Sequence, residues 1–193
     1  MSPQNIQHTL EMANSIPIPQ LGFGVYQSPE SVCTKSCLTA LQSGYRHLDT
    51  AQYYGNEVQV GQAVRQSGLP REEIFLTTKV LVAEDSVEKT LEKCIDSVSK
   101  LDPASGYVDL FLIHSPNAGA EKRKIMWQAL EKLQELGKTK SIGVSNFGIK
   151  HIEELKEYAT VWPPHVNQIE VWFPQILKAM GQYGVFPFFL MHS

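Results

Sequence analysis

Cysteine is scarce in this chain: Cys33, Cys37 and Cys94 are its only three in 193 residues. They are too few and too scattered for a disulfide framework, so stability has to come from a packed core. Cys33 and Cys37 stand one helical turn apart, but no histidine or further cysteine lies nearby to complete the four ligands of a structural zinc. Reduced thiols on a helix are the better reading, and no metal is expected. No apolar run reaches the ~18–20 residues of a membrane span. Met1 to Glu11 lacks the apolar segment of a secretion signal. The expected address is therefore cytoplasmic, with no membrane partner. Lysine and arginine total 17 against 20 acidic residues, with no basic run or stripe, so nothing points to a nucleic-acid partner. Internal repeats, low-complexity tracts and linkers are also missing. What remains, 42% hydrophobic and 19% charged residues, suits a single globular domain over 1–193 with a sizeable core.

Strand and helix signals alternate along the chain. Ile16 to Gln20 predicts a small hairpin or extended lead-in, followed by a first strand over Leu21–Tyr26. Ser28-Pro29 reads as an N-cap with proline at the first helical position, opening a helix that runs to Ser43 and stops at Gly44. Strand Tyr45–Asp49, helix Asn56–Ser67 and strand Ile74–Lys79 follow. Asp85 to Glu88 has capping-box spacing with Asp at the cap. The helix behind it carries Val87, Leu91, Cys94, Ile95, Val98 and Leu101 on one face. Strand Val108–Ile113, helix Lys122–Leu136, strand Ser141–Val144, helix Ile149–Tyr158 and strand Val166–Glu170 complete the series. The strands are nearly continuous in apolar, β-branched residues, as buried parallel strands are. The class is α/β with right-handed crossovers. A barrel and a doubly wound open sheet both produce this alternation, and periodicity does not separate them.

The strand ends are more informative. Tyr45–Asp49 ends on a carboxylate with Tyr54 five residues later, Ile74–Thr78 runs into Lys79, and Val108–Ile113 runs into His114. If these strands are parallel neighbours, Asp49, Tyr54, Lys79 and His114 share one rim, where a (β/α) barrel carries its chemistry. A free tyrosine, with a pKa of about 10, is a poor acid near neutrality. A lysine ammonium within reach is expected to lower that pKa, Asp49 to hold the lysine protonated, and His114 to orient a carbonyl oxygen. Such a set suits a carbonyl that receives a hydride while Tyr54 donates a proton, the hydride coming from a cofactor. Each residue also has an ordinary reading: Asp49 as a helix cap, Lys79 solvated, His114-Ser115-Pro116 as a turn, Tyr53-Tyr54 as packing. Four together on successive strand ends favour the chemical one.

These residues resemble the aldo-keto reductase superfamily. The signature G-x-R-x-x-D-T-A-x-x-Y-x-N-E matches Gly44 to Glu57. D-L-x-L-I-H-x-P appears at Asp109–Pro116, I-G-V-S-N-F at Ile142–Phe147 and N-Q-x-E at Asn167–Glu170. The resemblance covers about Pro17 to Glu170 and implies a (β/α)8 TIM-barrel fold. It also implies reduction of an aldehyde or ketone to an alcohol with NADPH as cofactor, a small-molecule carbonyl substrate, and no metal. It assigns the catalytic set to Asp49, Tyr54, Lys79 and His114, with Tyr54 as proton donor. Ser145, Asn146 and Gln168 match the side chains that hold the nicotinamide carboxamide. Gly24, Val25 and Tyr26 match the strand end along the cofactor, and the resemblance counts Asp49 among the cofactor-binding residues as well. The resemblance also implies that Tyr26, Tyr53, His114 and Ser115 line the substrate pocket; Ser115, where some relatives carry a large aromatic, implies a different or wider one.

After Glu170 the match fails, so that 171–193 reads as an atypical tail. The expected barrel is incomplete, about six βα units where a full barrel takes ~250 residues. A short helix over Ile176–Tyr183 and a stand-in for strand seven over Val185–Leu190 are the expectations for the tail, although Pro187 disfavours a central strand. The basic segment that grips the cofactor's 2′-phosphate has no counterpart, and an open arc of six strands is expected to expose its edges. A catalytically impaired truncated paralogue, or a non-catalytic interaction protein on the same fold, is therefore the alternative reading. An unrelated isomerase would leave Ser145, Asn146 and Gln168 without a role.

Overall fold

A computed structural model describes residues 8–170 and 189–192. Two short antiparallel strands, β1 (Thr9–Glu11) and β2 (Pro17–Pro19), form a hairpin. The first arm falls in a stretch the sequence reading passed over; only Leu10 marks it, packing inward beside Met12, Ile16 and Ile18. Then come β3 (Leu21–Gly24), α1 (Glu30–Gln42), β4 (His47–Asp49), α2 (Glu57–Gln66), β5 (Phe75–Val80) and α3 (Val87–Leu101). The order continues with β6 (Val108–Ile113), α4 (Ala120–Glu135), β7 (Thr139–Ser145), α5 (Ile149–Lys156), β8 (Asn167–Gln168) and β9 (Phe189–His192).

The strands β3 to β8 are parallel, and each pairs with the next in chain order: the sheet runs β8-β7-β6-β5-β4-β3-β9. From β3 to β8 that order never reverses, whereas a doubly wound sheet turns back at its switch point. The chain therefore winds as a curled partial barrel. β9 lies parallel against β3, with Leu21 opposite Phe189 and Gly24 opposite His192. The expectation that both edges of a six-strand arc stand open is corrected on this side: β3 has a partner. The expected helix over Ile176–Tyr183 and most of Val185–Leu190, Pro187 included, lie outside the described residues.

Caps and ends shift from the sequence reading by a few residues. Pro29 sits at the N-cap of α1, not inside its first turn, with extended φ/ψ, and its carbonyl accepts from the N–H of Val32 and of Cys33, both at 3.0 Å. Ser86, not Asp85, caps α3: its hydroxyl accepts from Lys89 N–H at 3.2 Å, the bond a cap must supply. Asp85 instead reaches Lys122 on α4. β3 and β4 are shorter than the runs that announce them, with Val25, Tyr26, Tyr45 and Arg46 beyond the paired ladder, whereas β7 extends past the expected Ser141–Val144 at both ends.

The core has two parts. Outward strand residues such as Leu48, Leu76, Phe111, Ile113 and Val144 pack with the helices on Val60, Val98, Met126, Trp127, Leu130 and Leu155. Inward, Phe75, Leu110 and Leu112 pack on Met12 and Ile18 of the hairpin, which closes the floor of the arc. Also on the floor, Arg71 donates to Asp102 and to Asp109, both at 2.9 Å, and its guanidinium stacks 4.1 Å over Tyr107. His47 faces inward too, 2.8 Å from Thr77 Oγ1 and against Phe75.

Two predictions follow from this packing. Gly61 lies inside α2, where alanine ordinarily gains about 0.5–1 kcal/mol over glycine. Here an added Cβ would stand 2.2 Å from Lys100 O and 2.8 Å from Leu101 O. Gly61→Ala is therefore expected to destabilise by about 1–3 kcal/mol through forced separation of α2 and α3, read as a lower urea midpoint. His47 is fully buried, and burial holds its imidazole down at about 4, with Asp49 opposing in part. Its folded pKa lies below the unfolded value, so the unfolded chain takes up the proton first. That contribution is present above pH ~6.5 and is lost as pH falls towards 4, by about 1.4 kcal/mol per unit. Urea unfolding of parent and His47→Gln chains should converge over that interval.

Candidate active site

The ladder register explains why the strand ends converge. Gly24 is opposite Asp49, Asp49 opposite Thr77, Lys79 opposite Leu112, and Ser145 opposite Gln168. Side chains two apart along a strand share a face. Lys79 lies two beyond Thr77 and His114 two beyond Leu112, so both follow the inward phase set by Asp49. Gly22 and Gly24 present no side chain there. Phase and stagger together put Asp49, Lys79, His114, Ser145 and Gln168 around one rim.

Lys79 and Asp49 form an ion pair in which each side chain is only 1% exposed, Nζ donating to Oδ1. Nζ also donates to the Thr50 carbonyl at 2.9 Å and lies 3.4 Å from the Tyr54 hydroxyl. The other Asp49 oxygen accepts from Gln168 Nε2 at 3.0 Å, a bond spanning 119 positions of sequence. Tyr54 stands on a short 3-10 turn, Gln52–Tyr54, closed by Gly55 in the left-handed region at φ 72°. Its ring lies 5.4 Å from that of His114 and 5.0 Å from that of Tyr26. Tyr53 is 65% exposed at the mouth, 6.2 Å from the His114 ring. Ser115 accepts from Asn117 N–H at 3.3 Å and caps the turn after β6.

The electrostatics correct one expectation. Tyr54 does not have a lowered pKa here: burial pushes its phenol up, and the Asp49 carboxylate adds to the rise. The expected help from Lys79 is absorbed by Asp49, which takes the ammonium as its own partner. Burial pulls Lys79 below the ordinary lysine range, and the bond to Asp49 opposes that loss. Burial, and then the Lys79 charge, hold His114 down at about 4. His114 is thus neutral near pH 7, and its Nδ1 has no hydrogen-bond partner among the described residues. A protonated phenol, a neutral imidazole and an ammonium around one opening can donate hydrogen bonds to a carbonyl oxygen and a proton to it as negative charge develops.

Beside this group lie Ser145, Asn146 and Gln168. Asn146 has φ 58°, a left-handed value that Asn tolerates better than most residues. Its Nδ2 donates to Ser145 Oγ at 3.4 Å, and its backbone N–H donates to the Gln168 carbonyl at 2.8 Å. Two carboxamides and a hydroxyl offer both donors and acceptors, the pattern another carboxamide requires. Gly24 ends β3, and Val25 donates to the Asp49 carbonyl at 3.1 Å, which brings Tyr26, 41% exposed, to the rim. Among the described residues no three or more His, Cys, Asp or Glu side chains group as metal ligands, and no helix is long and apolar enough to cross a membrane.

Residues 21–181 match the Aldo/keto reductase family. The chain belongs to the aldo/keto reductase family. It is 41% identical over 169 residues to the glyoxal reductase of Bacillus subtilis, an alignment covering 87% of this chain and 59% of that protein. It is 45% identical over 159 residues to the 9,11-endoperoxide prostaglandin H2 reductase of Trypanosoma cruzi, covering 82% and 54%. The chain thus spans less than two thirds of the length of these curated relatives. Among solved structures, an aldo/keto reductase from Brucella melitensis superposes with a TM-score of 0.85 at 39% identity, over 93% of this chain and 70% of that one. A Bombyx mori aldo-keto reductase in complex with NADP superposes with a TM-score of 0.82 at 27% identity, over 93% and 64%.

Sequence reasoning passed over three features of this aldo/keto reductase family member. Thr50 and Asn56, both fully buried, are bonded to each other, and Gln168 holds Asp49. The first two lie inside the quoted signature, where small polar residues beside a strand end were the available signal. The third is a contact that no local pattern encodes. Lys79→Met is expected to leave Asp49 buried with a single side-chain partner and to cost about 3–5 kcal/mol. Adding Asp49→Asn should return part of the loss, measured by urea denaturation of the two variants.

Proposed function

We propose that this chain reduces the carbonyl group of a small aldehyde or ketone to an alcohol, with NADPH as the hydride source. The observation that carries the reading is the Tyr54 hydroxyl, 3.4 Å from a lysine ammonium that is itself paired with a buried carboxylate, beside a neutral histidine. Tyr54 keeps its proton until a strong base appears, because burial and Asp49 both disfavour the phenolate. Only an oxygen that has gained nearly full negative charge draws that proton off, which ties proton donation to reduction of the carbon. Lys79 then faces the phenolate left behind, and Asp49 keeps the ammonium charged and in place. His114, too weakly basic to act as the acid near pH 7, holds the carbonyl oxygen by a hydrogen bond.

NADPH supplies the hydride when bound, a task no side chain performs. Ser145, Asn146 and Gln168 would hold its carboxamide, and Gly24, Val25 and Tyr26 would lie along it. The supporting observation is the mixed donor and acceptor character of the three polar side chains beside Asp49. Tyr26, Tyr53, His114 and Ser115 would line the substrate pocket, Tyr53 and Tyr26 providing exposed aromatic walls. A reducing, cytoplasmic setting belongs to the same reading and is supported by three free buried thiols.

The test is NADPH oxidation by the purified 193-residue chain with glyoxal and with an aromatic aldehyde, beside an NADPH titration of its tryptophan fluorescence. Tyr54→Phe should lower the rate by about 10²–10⁴ while leaving NADPH affinity within about threefold. Saturable binding with no turnover in the parent chain would instead favour the non-catalytic reading.

A further inference from the structure

The Asn56 side chain occupies the N-cap position of α2, a place where asparagine normally accepts from the first-turn N–H groups. It makes no such bond. Instead its Nδ2 donates to the Val25 carbonyl at 2.9 Å and to the Ser28 carbonyl at 3.3 Å, while its Oδ1 accepts from the Thr50 hydroxyl at 2.7 Å. Asn56 is 1% exposed and Thr50 fully buried, so water cannot replace these partners. The partners come from two pieces of the site, Val25 and Ser28 from the loop after β3 and Thr50 from the end of β4. Val25 precedes Tyr26, whose ring lies 5.0 Å from that of Tyr54. Thr50 directly follows Asp49, and its carbonyl is the second seat of Lys79 at 2.9 Å. Tyr54 lies two residues before Asn56, on a turn pinned by the Tyr54 N–H donating to Ala51 O at 3.0 Å.

We propose that Asn56, acting through Thr50, is a positioning residue: its carboxamide staples the loop after β3 to the end of β4 and so sets the distance between Tyr54 and Lys79. The helix goes without a side-chain cap, and the capping residue serves the rim. The Ala51–Gly55 loop is tied to α3 by Gln52, whose Nε2 donates to Ser97 Oγ at 2.9 Å, while Tyr53 at its tip is largely exposed. Asn56 thereby joins the segment that carries Tyr26 to the segment that carries Tyr54 through two carbonyls, those of Val25 and Ser28. A displacement of about 1 Å of a reacting group is enough to cost on the order of 10²-fold in rate.

The inference rests on the carbonyl-reducing reading, and its test separates the two. Thr50→Val removes the hydroxyl and keeps the shape; Thr50→Ser keeps the hydroxyl; Asn56→Ala removes the staple. The first readout is turnover with NADPH and glyoxal. Thr50→Val and Asn56→Ala should lower kcat by about 10–100-fold with KM changed less than about threefold, and Thr50→Ser should restore kcat. The second readout needs no cofactor: ionisation of Tyr54, taken as the phenolate absorbance difference between each variant and its Tyr54→Phe counterpart. Loosening the turn admits water to a phenol surrounded by Asp49, Lys79, His114, Tyr26 and Glu170. Its ionisation should therefore move down towards the ordinary tyrosine value in Thr50→Val and stay in place in Thr50→Ser. If thermal midpoints fall while kcat and the Tyr54 ionisation hold, Asn56 is structural only and the proposal is overturned. If the parent chain shows no turnover above the protein-free background, the carbonyl-reducing reading fails, and the ionisation series still decides the staple.

Discussion

The buried pair of Asp49 and Lys79 is the constraint around which the rest of the described structure is arranged. Taking two charges out of water costs several kcal/mol per ion, and mutual attraction repays it only when the remaining donors and acceptors are matched. Here they are matched from three strands at once. β5 supplies the ammonium, β4 the carboxylate and, just past it, the Thr50 carbonyl, and β8 the Gln168 amide. A slip of one residue in either ladder would turn Lys79 or Gln168 to the outer, helix-covered face. The pair therefore ties register to stability, and the same matching leaves the ammonium beside the Tyr54 hydroxyl.

The two ends of the arc divide the work. At the floor, Arg71 gathers Asp102, Asp109 and the Tyr107 ring, Lys140 binds the second oxygen of Asp109, and the hairpin covers Phe75 and Leu112. At the rim, His114 Nδ1 has no hydrogen-bond partner among the described residues. Asp109 and His114 lie on the same six-residue strand and its exit, so β6 carries a structural anchor at one end and a chemical group at the other. That division follows from parallel strands, which point every C-terminal end the same way.

Burial, more than contact distance, governs the titrating groups. The sequence motif places a lysine near a tyrosine, and a lone ammonium would lower the phenol's pKa. In the folded chain Asp49 neutralises that ammonium, and desolvation of Tyr54 then dominates, so its pKa rises. A phenol that releases its proton only to a strong base is a stricter donor than an acidified one. His114 behaves consistently: desolvated and facing Lys79, its imidazole is held down at about 4 and stays neutral near pH 7.

Much of this was legible before the fold was known. Apolar runs ending on Asp49, Lys79 and His114, with glycine stops at Gly44, Gly68 and Gly137, mark the elements, because strand and helix periods are local properties of the chain. The sequence alone determined the alternation, the family signatures and the set of groups at the strand ends. Periodicity could not separate a barrel from an open sheet, because both share the same local periods; the strand-end residues and signatures pointed to the barrel. Strand order bears the barrel out, through pairings that join distant segments. Ser86 over Asp85 as a cap, the Asn56 staple, the Gln168 bond to Asp49 and the rise of the Tyr54 pKa were decided only by tertiary structure. Each depends on which groups are brought within about 3 Å of one another and on how much water is excluded there, and neither is written in residue order.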